Sequence, residues 1–217
     1  MILLALLAAV SLDATAIARN SATLSALGPH PFGSPRNQAA AQFVAAKLGE
    51  AGLTQIALDP FGAGDREGTN VVASLPGRSD RLLIMATHHD SSAGLADVSD
   101  RSRSLSLLIE IGRQAKSLER AKTWILASFD GGASTGEGID HYLEGLGKSR
   151  DLIDAVVLIE VSSARYASGG PSLIVPACGA GETGSSRGMA GRDLVSAAPA
   201  AFPGRRTSRL ATPASAS

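Results

Sequence analysis

The chain has 217 residues, enough for one α/β domain or for a smaller domain with a tail. Its 20 basic and 20 acidic residues cancel, which argues against a nucleic acid or an anionic membrane surface as a global electrostatic partner. The one cysteine, Cys178, excludes an intrachain disulfide framework and reads as a small apolar side chain rather than a reactive thiol.

The chain opens on Met1 to Val10, a run of Ile, Leu and Ala too short for a bilayer, which needs roughly 20 apolar residues. It reads as the apolar core of a signal peptide without a preceding Lys or Arg, as a buried first helix, or as the stub of a membrane segment. Residues 1–19 are therefore set apart as a signal or membrane-segment remnant. The expected location is secreted or membrane-associated through this N-terminus, and otherwise cytoplasmic. Ser34-Pro35 followed by Asn37 to Leu53 predicts a helix. Ser34 caps it, Pro35 suits its first position, and Phe43, Val44, Leu48 and Leu53 recur at helical spacing before the stop at Gly52.

Asn70 to Leu75 predicts a strand, closed by the turn signal Pro76-Gly77. Leu82 to Thr87 predicts a second strand, apolar throughout and so covered on both faces. Leu105 to Ile111 has helical periodicity. Thr123 to Phe129 is a third strand, with Trp124 in the core. Ile139 to Leu146 is a short helix, Ala155 to Val161 a fourth strand and Ser172 to Val175 a candidate fifth. Apolar strands alternating with helices indicate a three-layer α/β/α fold on a mostly parallel, mixed sheet, spanning residues 20–176. Residues 177–217 are rich in Ala, Gly, Ser, Pro and Arg, with Phe202 as the one aromatic. That composition buries too little apolar surface to offset ordering, so the segment reads as a disordered tail or as the product of a reading-frame change.

The chemistry concentrates in Thr87-His88-His89-Asp90, at the end of an apolar strand. Sites in open α/β sheets lie at the carboxyl ends of strands. Imidazole is a common zinc ligand, and a nearby carboxylate orients it. Two histidines and an aspartate also fit a merely solvated strand end. Further along, Gly179 to Ser186 has the glycine spacing of a phosphate-binding loop, but Ser185 stands where the lysine is required, and a Gly-rich linker is the plainer reading.

Several motifs in order resemble the two-zinc aminopeptidases of metallopeptidase family twenty-eight, the bacterial leucyl aminopeptidase and aminopeptidase Y type. They are Gly28-Pro29-His30-Pro31-Phe32-Gly33-Ser34, Gly68-Thr69-Asn70-Val71-Val72-Ala73, His88-His89-Asp90, Asp100, Leu107-Leu108-Ile109-Glu110, Phe129-Asp130-Gly131, Gly138 and His141-Tyr142. The resemblance covers roughly residues 24–163. It implies that His88 binds one zinc, that Asp90 orients it from behind as part of the catalytic set, and that Asp100 bridges two zincs. Glu160, in Leu158-Ile159-Glu160-Val161, falls where the family places an acidic ligand, usually the shorter aspartate. The implied substrates are peptide or protein N-termini, cleaved by zinc-bound hydroxide.

The pattern then breaks. After its equivalent of Gly131 the family has Glu-Glu, a general base followed by a zinc ligand; this chain has Gly132-Ala133. Neither side chain accepts a proton or binds zinc. Glu137 is the nearest candidate substitute. The family's last ligand, a downstream histidine, is absent, because no histidine follows His141. Arg101 and Arg103 add positive charge beside Asp100, which opposes cation binding. One zinc or none is expected. The sequence thus supports two readings: a zinc aminopeptidase with an impaired site, or a non-catalytic peptidase-like binding domain or decayed fragment.

Overall fold

A computed structural model describes residues 12–92, 94–133, 136–161 and 173–174. The apolar run Met1–Val10, Cys178 and the Gly179–Ser186 segment lie outside the described residues, as does the rest of the tail from Val175 onward.

Strands β3 (Leu82–His88) and β4 (Thr123–Phe129) form the centre of a five-stranded sheet of order β1-β2-β4-β3-β5. β3 pairs in parallel with β4 and with β5 (Ile153–Leu158). β2 (Arg66–Leu75) runs antiparallel to β4, and β1 (Gln55–Ala63) antiparallel to β2. The sheet is therefore mixed, parallel on the β4-β3-β5 side and antiparallel on the β1-β2-β4 side. Alternation along the strands divides the core in two. Val71, Ala73, Leu83, Met85, Trp124 and Leu126 face helices α1 (Ala14–Ser25), α2 (Pro35–Glu50) and α3 (Leu95–Ala115). Val72, Ile84, Ala86, Ile125, Ala127 and Phe129 face the other side, where Ile139 and Tyr142 of helix α4 (Glu137–Leu146) pack. This gives the three layers expected, and explains why β3 and β4 read as continuous apolar runs.

Local signals set the helices. Ser34 Oγ accepts from the Asn37 N–H, and Pro35 begins α2. Gly52, at φ 88°, follows the α2 C-cap, and the Leu53 N–H returns to the Leu48 carbonyl. α1 falls partly inside the segment set apart as residues 1–19; of its residues only Asn20 and Leu24 are buried, and Leu24 joins the core under α3. Its cap adds a second tie to α3. The Asp13 carboxylate accepts from Thr15 and Ala16 N–H, while the Asp13 N–H donates to Glu110 Oε1 of α3 at 2.9 Å. β1 escaped the sequence reading because Pro60 and Gly62 interrupt it. Both are tolerated because β1 is an edge strand. α3 starts ten residues before Leu105, since its first turns are polar and carry no hydrophobic period.

Past β5 the chain turns away from the sheet. The Ile159 N–H still bonds the Ala86 carbonyl at 2.7 Å, but Glu160–Val161 (β6) pairs with Leu173–Ile174 (β7) in a separate antiparallel ribbon. The Val161 N–H donates to Ser104 Oγ of α3 at 2.8 Å, which brings Glu160 alongside that helix. Among the described residues, no helix is long and apolar enough to cross a membrane.

Candidate functional site

The carboxyl ends of β3 and β4 lie side by side, His88 opposite Phe129. Beneath them is a buried polar network. Asp130 accepts from Asn37 Nδ2 at 2.6 Å, from the Thr69 N–H at 3.0 Å and from the Gly131 N–H at 2.8 Å. His89, fully buried, places Nδ1 2.9 Å from Ser128 Oγ and Nε2 3.6 Å from Asp130 Oδ2. Burial alone would raise the Asp130 pKa, but His89, the Thr69 N–H and Asn37 together hold it below the ordinary aspartate value. Asn70 joins β2 to the same corner: its Oδ1 accepts from the Asp130 N–H and its Nδ2 donates to the Gly138 carbonyl. A side chain at Gly138 would place Cβ 2.3 Å from the Asp130 carbonyl and 2.4 Å from Asn70 Oδ1, so only glycine fits. The Gly28–Ser34 lead docks at the same end, with the His30 N–H on Ser91 Oγ and the Ser91 N–H on the His30 carbonyl. These contacts account for the spacing of the Asn70, Asp130 and Gly138 motifs.

His88 has a different environment. Arg101, two turns into α3, projects its guanidinium to the strand end. Its Nη1 lies 3.4 Å from His88 Nδ1 and 3.5 Å from Glu160 Oε1, and its Nε 3.2 Å from Asp97 Oδ1. Three acceptors from β3, α3 and β6 thus converge on one cation. Burial, then the neighbouring Arg101, push the His88 pKa down to about 3, so the ring is neutral. Since a guanidinium can only donate, Nδ1 is the acceptor and the ring proton sits on Nε2, which is buried and has no hydrogen-bond partner among the described residues. Asp97 also accepts from the Ser92 N–H at 2.6 Å, which fixes the entry to α3. Burial would raise Asp97, but Ser92 and Arg101 hold it below the usual carboxylate range.

The other expected site residues are placed as follows. Asp90 is buried and accepts from the Ala133 N–H at 2.9 Å; burial pushes its pKa up. Asp100 points along α3 to Arg103, 3.1 Å away. Glu137 starts α4, 3.6 Å from Arg66, with Oε2 against the Gly131 backbone. His141 is 38% exposed, pairs with Asp59 at 3.2 Å and stacks on Phe61. The structure therefore gathers His88 and Glu160 around Arg101, and directs Asp100 to a different partner. Asp97 was missed as a site residue. Its one sequence signal was its place four residues before Arg101, on a helix stretch without apolar period.

Gly132 decides what can stand beside His88. A Cβ there would lie 2.6 Å from both Cβ and Cγ of His88, closer than side chains approach. Position 132 is where the resemblance implies the catalytic carboxylate, and here it has neither a carboxylate nor room for one. Among the described residues, no group of three or more His, Cys, Asp or Glu side chains could hold a metal ion. The donors that remain do not fit a zinc centre, because the guanidinium already lies among them.

No protein-family model and no curated protein matches the sequence. Solved structures do match its fold. LapA aminopeptidase of Legionella pneumophila aligns at TM-score 0.57 and 13% identity, over 69% of this chain and 43% of LapA. BSAP, a zinc aminopeptidase from Bacillus subtilis, aligns at TM-score 0.58 and 11% identity, over 69% of each chain. A glutaminyl cyclase from Fimbriiglobus ruber aligns at TM-score 0.57 and 15% identity, over 69% of this chain and 62% of the cyclase. The chain has the fold of zinc aminopeptidases and glutaminyl cyclases, and spans less than half the length of LapA. One fold carrying both names selects neither chemistry, so function rests on the site.

Proposed function

We propose that this chain is a peptidase-like domain of the two-zinc aminopeptidase type that has lost hydrolysis and retains the fold as a binding domain. The observation that carries this reading is the contact of Gly132 with the His88 ring. A metallopeptidase needs a general base beside its metal-bound water, a contribution of about a hundred- to ten-thousand-fold in rate. Glu137, the nearest candidate substitute, faces Gly131 and Arg66. Peptide or protein N-termini are the ligand class that the resemblance implies.

Hydrolysis of aminoacyl-4-nitroanilides in added zinc tests this. The wild-type chain is expected to match the buffer rate. The double variant Gly132→Glu/Ala133→Glu is expected to stay inert, because the new side chain at 132 collides with His88. Hydrolysis by the wild type that a chelator abolishes and His88→Ala removes would overturn the proposal.

A further inference from the structure

Between the sheet and α4 runs a groove of about 480 Å³, within the size range of small-molecule sites. Its floor is Ala57 of β1, Val72 and Ser74 of β2 and Ile125 of β4, and Tyr142 and Leu146 of α4 form one wall. Alternation fixes this floor: Ser74 stands two residues after Val72 and opposite Ile125, on the apolar face of the sheet. A hydroxyl therefore stands where the pattern calls for an apolar side chain, on a residue only 6% exposed. Neither Ser74 Oγ nor the Tyr142 hydroxyl bonds another described residue, and both line the groove. Burial, then the Asp59 charge, push the Tyr142 pKa up to about 12, so the phenol keeps its proton as a donor. Asp59 closes one end. It is the one acidic residue among the described residues of the lining, which include no Lys or Arg. His141 Nε2 lies 3.2 Å from its Oδ1, whereas Oδ2 has only a long contact, 3.4 Å from Asn70 Nδ2. In register Asp59 faces Asn70, four residues from Ser74, so the two polar ends stand about 14 Å apart along β2.

We propose that this groove binds an elongated apolar amine, with the ammonium on Asp59 and the apolar chain laid along Val72 and Ile125 towards Ser74. Charge selects the head group: a carboxylate with no Lys or Arg beside it in the lining attracts a cation and repels an anion. The apolar floor and wall select the body, because they cover a chain that water would otherwise surround. His141, stacked on Phe61, holds Asp59 from one side and leaves Oδ2 to the ligand. The groove shares no residue with the groups around His88 and Arg101, so a peptidase assay does not bear on it.

Calorimetric titration of the full chain with decylamine, an ammonium at neutral pH, tests the proposal against decanol and decanoate, all below micelle formation. One equivalent of decylamine is expected to bind, about tenfold more tightly than decanol, with decanoate the weakest of the three. Asp59→Asn is expected to bring decylamine to the level of decanol. Gly145 stands on the α4 wall with nothing within 4 Å of where a Cβ would lie, so Gly145→Phe fills the groove and should abolish binding of both decylamine and decanol. Thermal melts establish that each variant is folded. If Asp59→Asn is not, the preference of the wild type for decylamine over decanol and decanoate carries the same test. The proposal is overturned if decylamine does not bind, if decanoate or decanol binds as tightly, if a folded Asp59→Asn keeps the preference, or if a folded Gly145→Phe still binds decylamine.

Discussion

His88 and His89 are consecutive residues, both buried, and they face opposite kinds of surroundings. Around His89 the polar groups are matched: Ser128, Asp130, Asn37, Thr69 and Asn70 form one connected set that joins α2, β2 and β4. Around His88 the expected carboxylate is missing, Gly132 presses against the ring, and a guanidinium sits among the acceptors. The first region holds the strand ends in register whatever chemistry the second performs. Losing the general base costs rate, whereas losing Asp130 would cost the fold. That asymmetry separates the framework motifs, which the fold requires, from the groups around His88, which it does not.

The largest effect expected from this comparison is Asp130→Ala. It strips the acceptor from Asn37 Nδ2 and from the Thr69 and Gly131 N–H groups, all in a buried corner. Urea unfolding should show a loss of about 3–5 kcal/mol. His88→Ala, by contrast, should lose clearly less, because its hydrogen bond from Arg101 is long. Next is Gly138→Ala, whose Cβ meets the Asp130 carbonyl and Asn70 Oδ1; a cost of about 1–3 kcal/mol is expected in the same experiment.

Acid sensitivity sharpens the contrast further. Burial alone would raise the Glu110 pKa, but Arg113, the Asp13 N–H and Gln114 bring it down to about 2. A depressed carboxyl contributes stability that is fully present above its ordinary value of 4.5 and is lost as pH falls towards about 2. Wild-type stability should therefore fall across that window, and Glu110→Gln should be less stable at neutral pH and flatter below pH 4.5. The smallest effect expected is Asp13→Ala. It removes the α1 cap from Thr15 and Ala16 at a cost of about 1 kcal/mol, read by denaturation.

Most of the fold could be read from the chain because its signals are local. The β4 bounds follow from seven consecutive sheet residues, and α2 from Ser34, Pro35 and Gly52. β1 and α1 were hidden, because an edge strand tolerates Pro60 and α1 depends on Asp13 reaching Glu110 across 97 positions. At the site, Gly132-Ala133 was visible as a loss of chemistry. That position 132 abuts His88 depends on β3 and β4 pairing in register, which no local pattern encodes. Arg101 was legible as an unfavourable charge, but its role as the centre of the cluster was not. That role depends on β6 leaving the sheet and being fixed to Ser104, so that Glu160 arrives beside α3.

The central claim is that a guanidinium occupies the place of the metal, and zinc titration of the wild-type chain tests it most directly, with His88→Ala as control. The account predicts no more zinc bound by the wild type than by His88→Ala, because the Arg101 guanidinium already lies against His88 Nδ1. One equivalent of tightly bound zinc in the wild type, lost in His88→Ala, would contradict it.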